Sequence, residues 1–307
     1  MPFTNHCAVE TSIETREYHL TTPLSSYNLN WGYGDRIPPW LETPGGVRLV
    51  PLIPSIHAER LLQLFSRYPE SYVYLPYGPF ETLAEFLTKL ELARRDSNTL
   101  LFAVYDLSLD LPHKFDRSET EDFSTDREES EGGQGLRSER LAGIVGLKES
   151  QVHNRMTEVG HVHIAPLFQR THVAQHAISL LLHYCLDSPT ESSPHNLGLR
   201  RVQWFANPDN EPSVTAALKL GFQLEARFML WERTLPPNRG KISLDLPQFL
   251  AQDPARLERE EHEFGRGRHS SLLSLDWVRW NEHGGRQFVI DLIERRPVVR
   301  RAWKEPS

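Results

Sequence analysis

Residues 158–177 read EVGHVHIAPLFQRTHVAQHA, and most of the candidate chemistry of the chain lies there. A carboxylate, Glu158, opens an alternating segment that carries His161 and His163. Imidazoles titrate near pH ~6.5, so they are available for proton transfer under neutral conditions. Pro166 ends the segment, and a polar bend, Gln169, Arg170 and Thr171, leads into an apolar helical pattern. The first N–H groups of a helix have no internal acceptor, and the helix dipole adds positive potential there. A bend of this kind is an anion site for which pyrophosphate is a natural ligand, with Arg170 as a charged partner. The same bend also reads as a plain turn. His172 and His176 stand at i, i+4, a spacing that zinc sites use, but no carboxylate lies close to them in sequence and no metal is expected.

These residues need a scaffold. Alternation over 157–165 places Val159, His161 and His163 on one face and Gly160, Val162 and Ile164 on the other, so Glu158 and His161 are expected on opposite faces. Strands are predicted at 46–53, 99–107, 140–150, 157–165, 200–207, 222–234 and 268–277, with 140–150 and 157–165 forming an antiparallel hairpin around a polar turn at 153–155. A helix follows Pro54, with Ile56, Leu61, Leu64 and Phe65 near helical spacing, and a second covers 82–96. YLPYGPF (74–80) is a rigid aromatic loop. The helix after the bend runs from about Arg170 to Asp187 and is largely buried, with Val173, Ala177, Ile178, Leu181, Leu182 and Cys185 covering more than one stripe. Asp209 or Asn210 caps a helix ending at Gly221, and a last helix breaks at Gly284–Gly285. The result is a mixed α/β (α+β) plan on one central sheet, residues 46–297. It is preceded by a proline-containing arm (1–45) and followed by a short tail (298–307). Two insertions interrupt it. Residues 108–140 are acidic, rich in Ser and Gly and expected to be disordered, because they hold too little apolar surface to offset their ordering entropy. Residues 235–266 are Pro-containing first and highly charged later.

The bulk numbers narrow the class. The chain has 307 residues, 39% hydrophobic content and a net charge of −7. No basic field for nucleic acid is evident. No apolar run reaches the ~18 residues of a membrane span, and the first residues lack a signal-peptide layout. Cys7 and Cys185 are far apart, and Cys185 lies in an apolar run, so neither a disulfide framework nor a cysteine zinc site is expected. A cytoplasmic protein is the default.

YLPYGPF, EVGHVHIAPLFQRTHVA, NPDNEPSVTAALKLGF and GRHSSLLSLDW occur in the order and spacing of the RimJ/RimL-type acetyltransferases of the GNAT superfamily, which the chain resembles from about Trp31 to Arg296, insertions excluded. The resemblance implies the GNAT fold, a mixed, mostly antiparallel sheet with two splayed strands, flanked by helices. It implies acetyl-CoA as co-substrate without a metal, and an amine acceptor, a protein or peptide N-terminus or a small-molecule amine. It implies neither nucleic acid nor membrane as partner, and leaves room for a homodimer. Carried over residue by residue, Gln169, Arg170, Thr171, His172, Val173 and Ala174 form the pyrophosphate loop. The strand through His163 and Ile164 pairs with the pantetheine arm. Asn207, Asn210 and Ser213 complete the cofactor site. Glu158 and His161 are the catalytic candidates, for an amine must lose a proton to attack a thioester. Relatives often place a tyrosine acid where Ala217 stands, so no such acid is assigned. The sequence departs from the family at His172, Gln175, His176, Ser271 and Leu272. These departures keep a second reading open, a catalytically degenerate GNAT-fold protein that binds acyl-CoA or a partner. Whether Glu158 or His161 faces the splayed strands discriminates the two.

Overall fold

The computed structural model describes residues 20–108, 140–235 and 265–294, with isolated positions between 253 and 263. Most of both predicted insertions, the first part of the arm and the tail therefore lie outside the described residues. Eight strands form one sheet in the order β1-β2-β3-β4-β5-β6-β8-β7. They are β1 (Leu41–Glu42), β2 (Val47–Pro51), β3 (Leu100–Asp106), β4 (Arg140–Gln151), β5 (Met156–Ile164), β6 (Arg201–Ala206), β7 (Gln223–Leu235) and β8 (Arg266–Asp276). All neighbours are antiparallel except β5 and β6.

The helices are α1 (Pro54–Ser66), α2 (Leu83–Arg95), α3 (Val173–Leu186), α4 (Glu211–Lys219), α5 (Trp277–Glu282) and α6 (Gly285–Glu294). Pro54 at the first position starts α1, where its missing N–H costs nothing. The buried face of α1 is His57, Ala58, Leu61, Leu64 and Phe65, whereas Ile56 is exposed. The sequence assigns Ile56 to that face. His57 takes its place because the Ile53 N–H donates to its Nδ1 at 2.9 Å, which satisfies the buried ring. Thr82 caps α2 by accepting from the Glu85 N–H. The final helix divides at Gly284, whose φ of +76° is a conformation that glycine adopts without strain. Among the described residues no helix is long and apolar enough to cross a membrane.

The described part of the arm is not loose. Tyr27, Leu29, Trp31 and Ile37 are buried in the core. Burial of each large apolar side chain contributes roughly 1.5–3 kcal/mol. β1 then adds the arm to the sheet edge, and the Tyr184 hydroxyl donates to the Arg36 carbonyl at 2.7 Å. At the base of the first insertion, Arg140 donates to Asp106 and to the Ser108 carbonyl, both at 2.8 Å, so its two ends are tied together.

Candidate active site

The site begins where the sheet opens. β5 and β6 pair over three positions only, Met156↔Arg201, Thr157↔Val202 and Glu158↔Gln203. Beyond them a cavity of about 280 Å³ is lined by Val159–Val162 from β5, Trp204–Ala206 from β6, Asn207 just after it, and Asn210 and Ser213 at the start of α4.

A bulge in β5 shapes this cavity. Ile144 pairs with His163 and Gly146 with Gly160, so His161 and Val162 share the position opposite Val145. His161 has φ +51°, the left-handed conformation that one class of bulge adopts. The extra residue re-aims the strand, and Glu158 and His161 both line the cavity. Simple alternation predicts opposite faces; one inserted residue cancels it.

Charge concentrates at this point. Lys148 lies directly across from Glu158, and its Nζ meets Oε1 at 2.9 Å. The lysine stem lies over Gly160, where a Cβ would stand 2.8 Å from Lys148 Cε. Burial raises the pKa of Glu158, and Lys148 opposes that rise. His161 is held well below its ordinary value by burial and then by Lys89, Lys148 and Arg233, so its imidazole is neutral. Tyr77 stacks on His161 at 5.8 Å, with Lys89 Nζ 4.8 Å from the Tyr77 ring. Arg233 and Arg268 complete the wall as direct cross-strand neighbours of β7 and β8. Lys89, Lys148, Arg233, Arg268 and Tyr77 were not singled out by sequence. Lys148 was readable from the hairpin register, and Arg268 lies in the quoted GRHSSLLSLDW block. The others reach the site through long-range contacts.

The remaining predicted residues fall into three groups. Asn207, Asn210 and Ser213 line the cavity. The Asn207 side chain accepts from the Asp209 N–H (2.9 Å), the Asn210 side chain caps α4 through the Ser213 N–H (3.2 Å), and Ser213 Oγ accepts from Trp204 Nε1 (3.0 Å).

Gln169 to Ala174 form the second group, at the mouth of α3, which starts at Val173 and not at Arg170. Gln169, Arg170 and Thr171 are exposed. Gln169 Nε2 donates to the Ile164 carbonyl (3.0 Å), and Thr171 Oγ1 donates to the Phe168 carbonyl (2.6 Å) and accepts from the Val173 N–H (3.2 Å). Arg170 is left-handed, φ +60°. The N–H groups of Arg170, Thr171, His172, Ala174 and Gln175 find no acceptor among the described residues. His172 Nε2 stands 3.7 Å from Asp106 Oδ1, and His176 Nδ1 lies 3.0 Å from Thr43 Oγ1. Among the described residues no group of His, Cys, Asp or Glu is arranged to hold a metal.

His163 and Ile164 form the third group, and their side chains are buried outside the cavity. His163 stacks on Phe65 at 3.7 Å, and Ser71 Oγ lies 2.8 Å from its Nε2. Burial pushes its pKa down to about 3.

Three comparisons bear on this geometry. The model of the acetyltransferase (GNAT) domain matches residues 47–223. The solved structures that resemble the chain include a GCN5-related N-acetyltransferase from Brucella melitensis, with TM-score 0.56, 21% identity, and coverage of 83% of this chain and 86% of that one. A probable GNAT-family acetyltransferase from Chromobacterium violaceum gives TM-score 0.50 and 23% identity over 77% of this chain and 85% of that one. No curated protein sequence matches the chain.

Proposed function

This chain belongs to the GNAT acetyltransferase family, and from that premise we propose that it is an acetyl-CoA-dependent N-acetyltransferase working by direct attack in a ternary complex. The observation that carries the reading is the opening of β5 from β6 after three pairs, with a cavity at the fork that both Glu158 and His161 line. A protein that only binds acyl-CoA needs the fork but has no use for two titratable groups in it.

In this reading acetyl-CoA supplies the activated acyl group as a thioester. The backbone of β5 beyond Glu158 pairs with the pantetheine amides, as an added strand does. The free N–H groups of Arg170, Thr171, His172, Ala174 and Gln175 hold the pyrophosphate on the dipole of α3, with Arg170 at its edge. Asn207, Asn210 and Ser213 shape the far wall. The acceptor is an amine of a peptide or protein N-terminus or of a small molecule. Its nitrogen forms the N–C bond as the C–S bond breaks. Glu158 takes the amine proton, directly or through a water, and that proton is returned by way of solvent to the departing thiolate. Desolvation makes Glu158 a stronger base than an exposed carboxylate, and Lys148 opposes that rise by favouring the ionised form. Neutral His161 is a hydrogen-bonding wall for the attacking nitrogen.

Calorimetric titration with acetyl-CoA tests this. Wild-type protein is expected to bind in the micromolar range, about −8 kcal/mol. Arg170→Glu is expected to weaken binding about ten-fold or more, as a carboxylate meets the pyrophosphate. A folded wild-type protein that binds no acetyl-CoA sinks the proposal.

A further inference from the structure

Arg268 is buried, 8% exposed, yet its side chain makes no hydrogen bond or ion pair with any described residue, and its Nε is an orphaned buried donor. It lines the cavity. Its direct partner across β7 and β8 is a second arginine, Arg233, and like charges placed opposite one another repel. Glu158 and Glu232 attract Arg268 from a distance but bond to other groups, and Asp96 and Glu149, which also line the cavity, form no ion pair with it. Glu158 pairs with Lys148 at 2.9 Å, and Glu232 pairs with Arg233 at 2.6 Å and accepts from Ser270 Oγ at 3.0 Å. On the opposite wall Lys89 rests over Tyr77 and forms no ion pair among the described residues, with Asp96 attracting it from a distance.

A buried cation without a direct ion-pair partner is unfavourable, and a fold retains one where a ligand supplies the missing bond. A guanidinium presents a planar fork that suits a carboxylate. The phosphates of acetyl-CoA are already assigned to the bend before α3, outside this cavity. The missing anion therefore belongs to the molecule whose amine reacts here. We infer that the acceptor is an amine that also carries a carboxylate, seated by Arg268 with Lys89 opposite, either a free acidic amino acid or a peptide with an acidic first residue. The inference rests on the acetyltransferase reading. It excludes polyamines, whose added positive charge would face these unpaired cations.

Glutarate, a simple dicarboxylate, is the first probe. Titrated into protein saturated with CoA, it is expected to bind the wild type, and about ten-fold or more weakly to Arg268→Gln and Lys89→Gln. Acetylation of free glutamate, of a C-terminally amidated peptide beginning with Glu, of glutamine amide and of spermidine is then compared. The carboxylate-bearing amines are expected to exceed the amide by about ten-fold or more in kcat/KM. The better of the two acidic acceptors identifies the source, and spermidine is expected to be the poorest. Because Arg268 is buried, Lys89→Gln provides an independent variant if Arg268→Gln does not fold. No glutarate binding by the wild type, equal rates on acidic and neutral amines, or an Arg268→Gln protein that loses CoA instead of glutarate would each overturn the inference. Those outcomes leave acetyl-CoA binding by the wild type intact, whereas its absence strikes the acetyltransferase reading itself.

Discussion

Arg94 and Arg268 are both buried guanidinium groups, at 6% and 8% exposure, and their surroundings differ in kind. Arg94 Nε and Nη2 donate to the two oxygens of Glu91, each at 2.8 Å, and Nη1 donates to the Asn28 carbonyl at 2.9 Å. Arg95 adds a further bond to Glu91 at 2.9 Å. That cluster closes its charge within one helix and ties the arm to it. Arg268 closes nothing. Its charge faces a cavity on which four cations converge from α2, β4, β7 and β8, and which Asp96, Glu149 and Glu158 also line. Arg140 also has an orphaned Nε, but its ion pair with Asp106 makes it structural; what sets Arg268 apart is the lack of any ion pair with a described residue beside an open cavity.

The largest expected effect removes the partner in the closed cluster. Glu91→Gln leaves Arg94 buried without compensation and is expected to destabilise the protein by about 3–5 kcal/mol, measured by urea denaturation. A loss under about 1 kcal/mol would mean that the arm and α2 do not depend on this charge, and the contrast with Arg268 would collapse. On the open side, Glu158→Gln removes the proposed base. It is expected to lower kcat about 10²-fold, roughly 3 kcal/mol in barrier, with acetyl-CoA affinity unchanged. An unchanged kcat would move the proton to another route and return Glu158 to the role of a partner for Lys148.

A third test concerns a buried group satisfied as a neutral species. Burial lowers the pKa of His57 to about 4, and Arg60 adds to this while the backbone of Ile53 opposes it. The unfolded chain, near ~6.5, takes up the proton first. The stability is therefore fully present above pH ~6.5 and declines between there and about 4, by roughly 2–3 kcal/mol for this residue. Denaturation midpoints at pH 7.5 and 4.5 check it, and His57→Asn should shrink the difference.

These contrasts also explain what was legible in the sequence. Features set by neighbours along the chain could be read. The apolar coverage of α3, the Asn210 cap, the break at Gly284 and the hairpin of β4 and β5 each depend on a few adjacent residues. The family resemblance added the splay of β5 from β6. Features set by register or distant packing could not be read. One bulged residue brings His161 round to the side of Glu158. Trp31 enters the core from an arm without periodicity. Lys89 and Arg268 meet the same cavity from positions far apart in the chain, and neither has a local pattern that marks it. His163 looked like a site residue because it shares the motif of His161, yet its ring packs on Phe65.

The smallest expected effect is the most discriminating for the comparison. Arg268→Leu removes a cation that has no protein partner, so no ion pair is lost. It also relieves the desolvation of a charge and the repulsion across to Arg233, less the longer-range attraction of Glu232 and Glu158. An apolar side chain of smaller volume gives back some packing of the arginine stem. The two terms oppose each other, and the expected change is within about 1 kcal/mol of zero, with stabilisation as the preferred sign. Denaturation beside Glu91→Gln under the same conditions makes the comparison direct. A loss as large as that of Glu91→Gln would mean that Arg268 holds β7 and β8 together as part of the scaffold. Near-neutral stability would leave its charge without a structural purpose, and a bound anion as the reason for burying it.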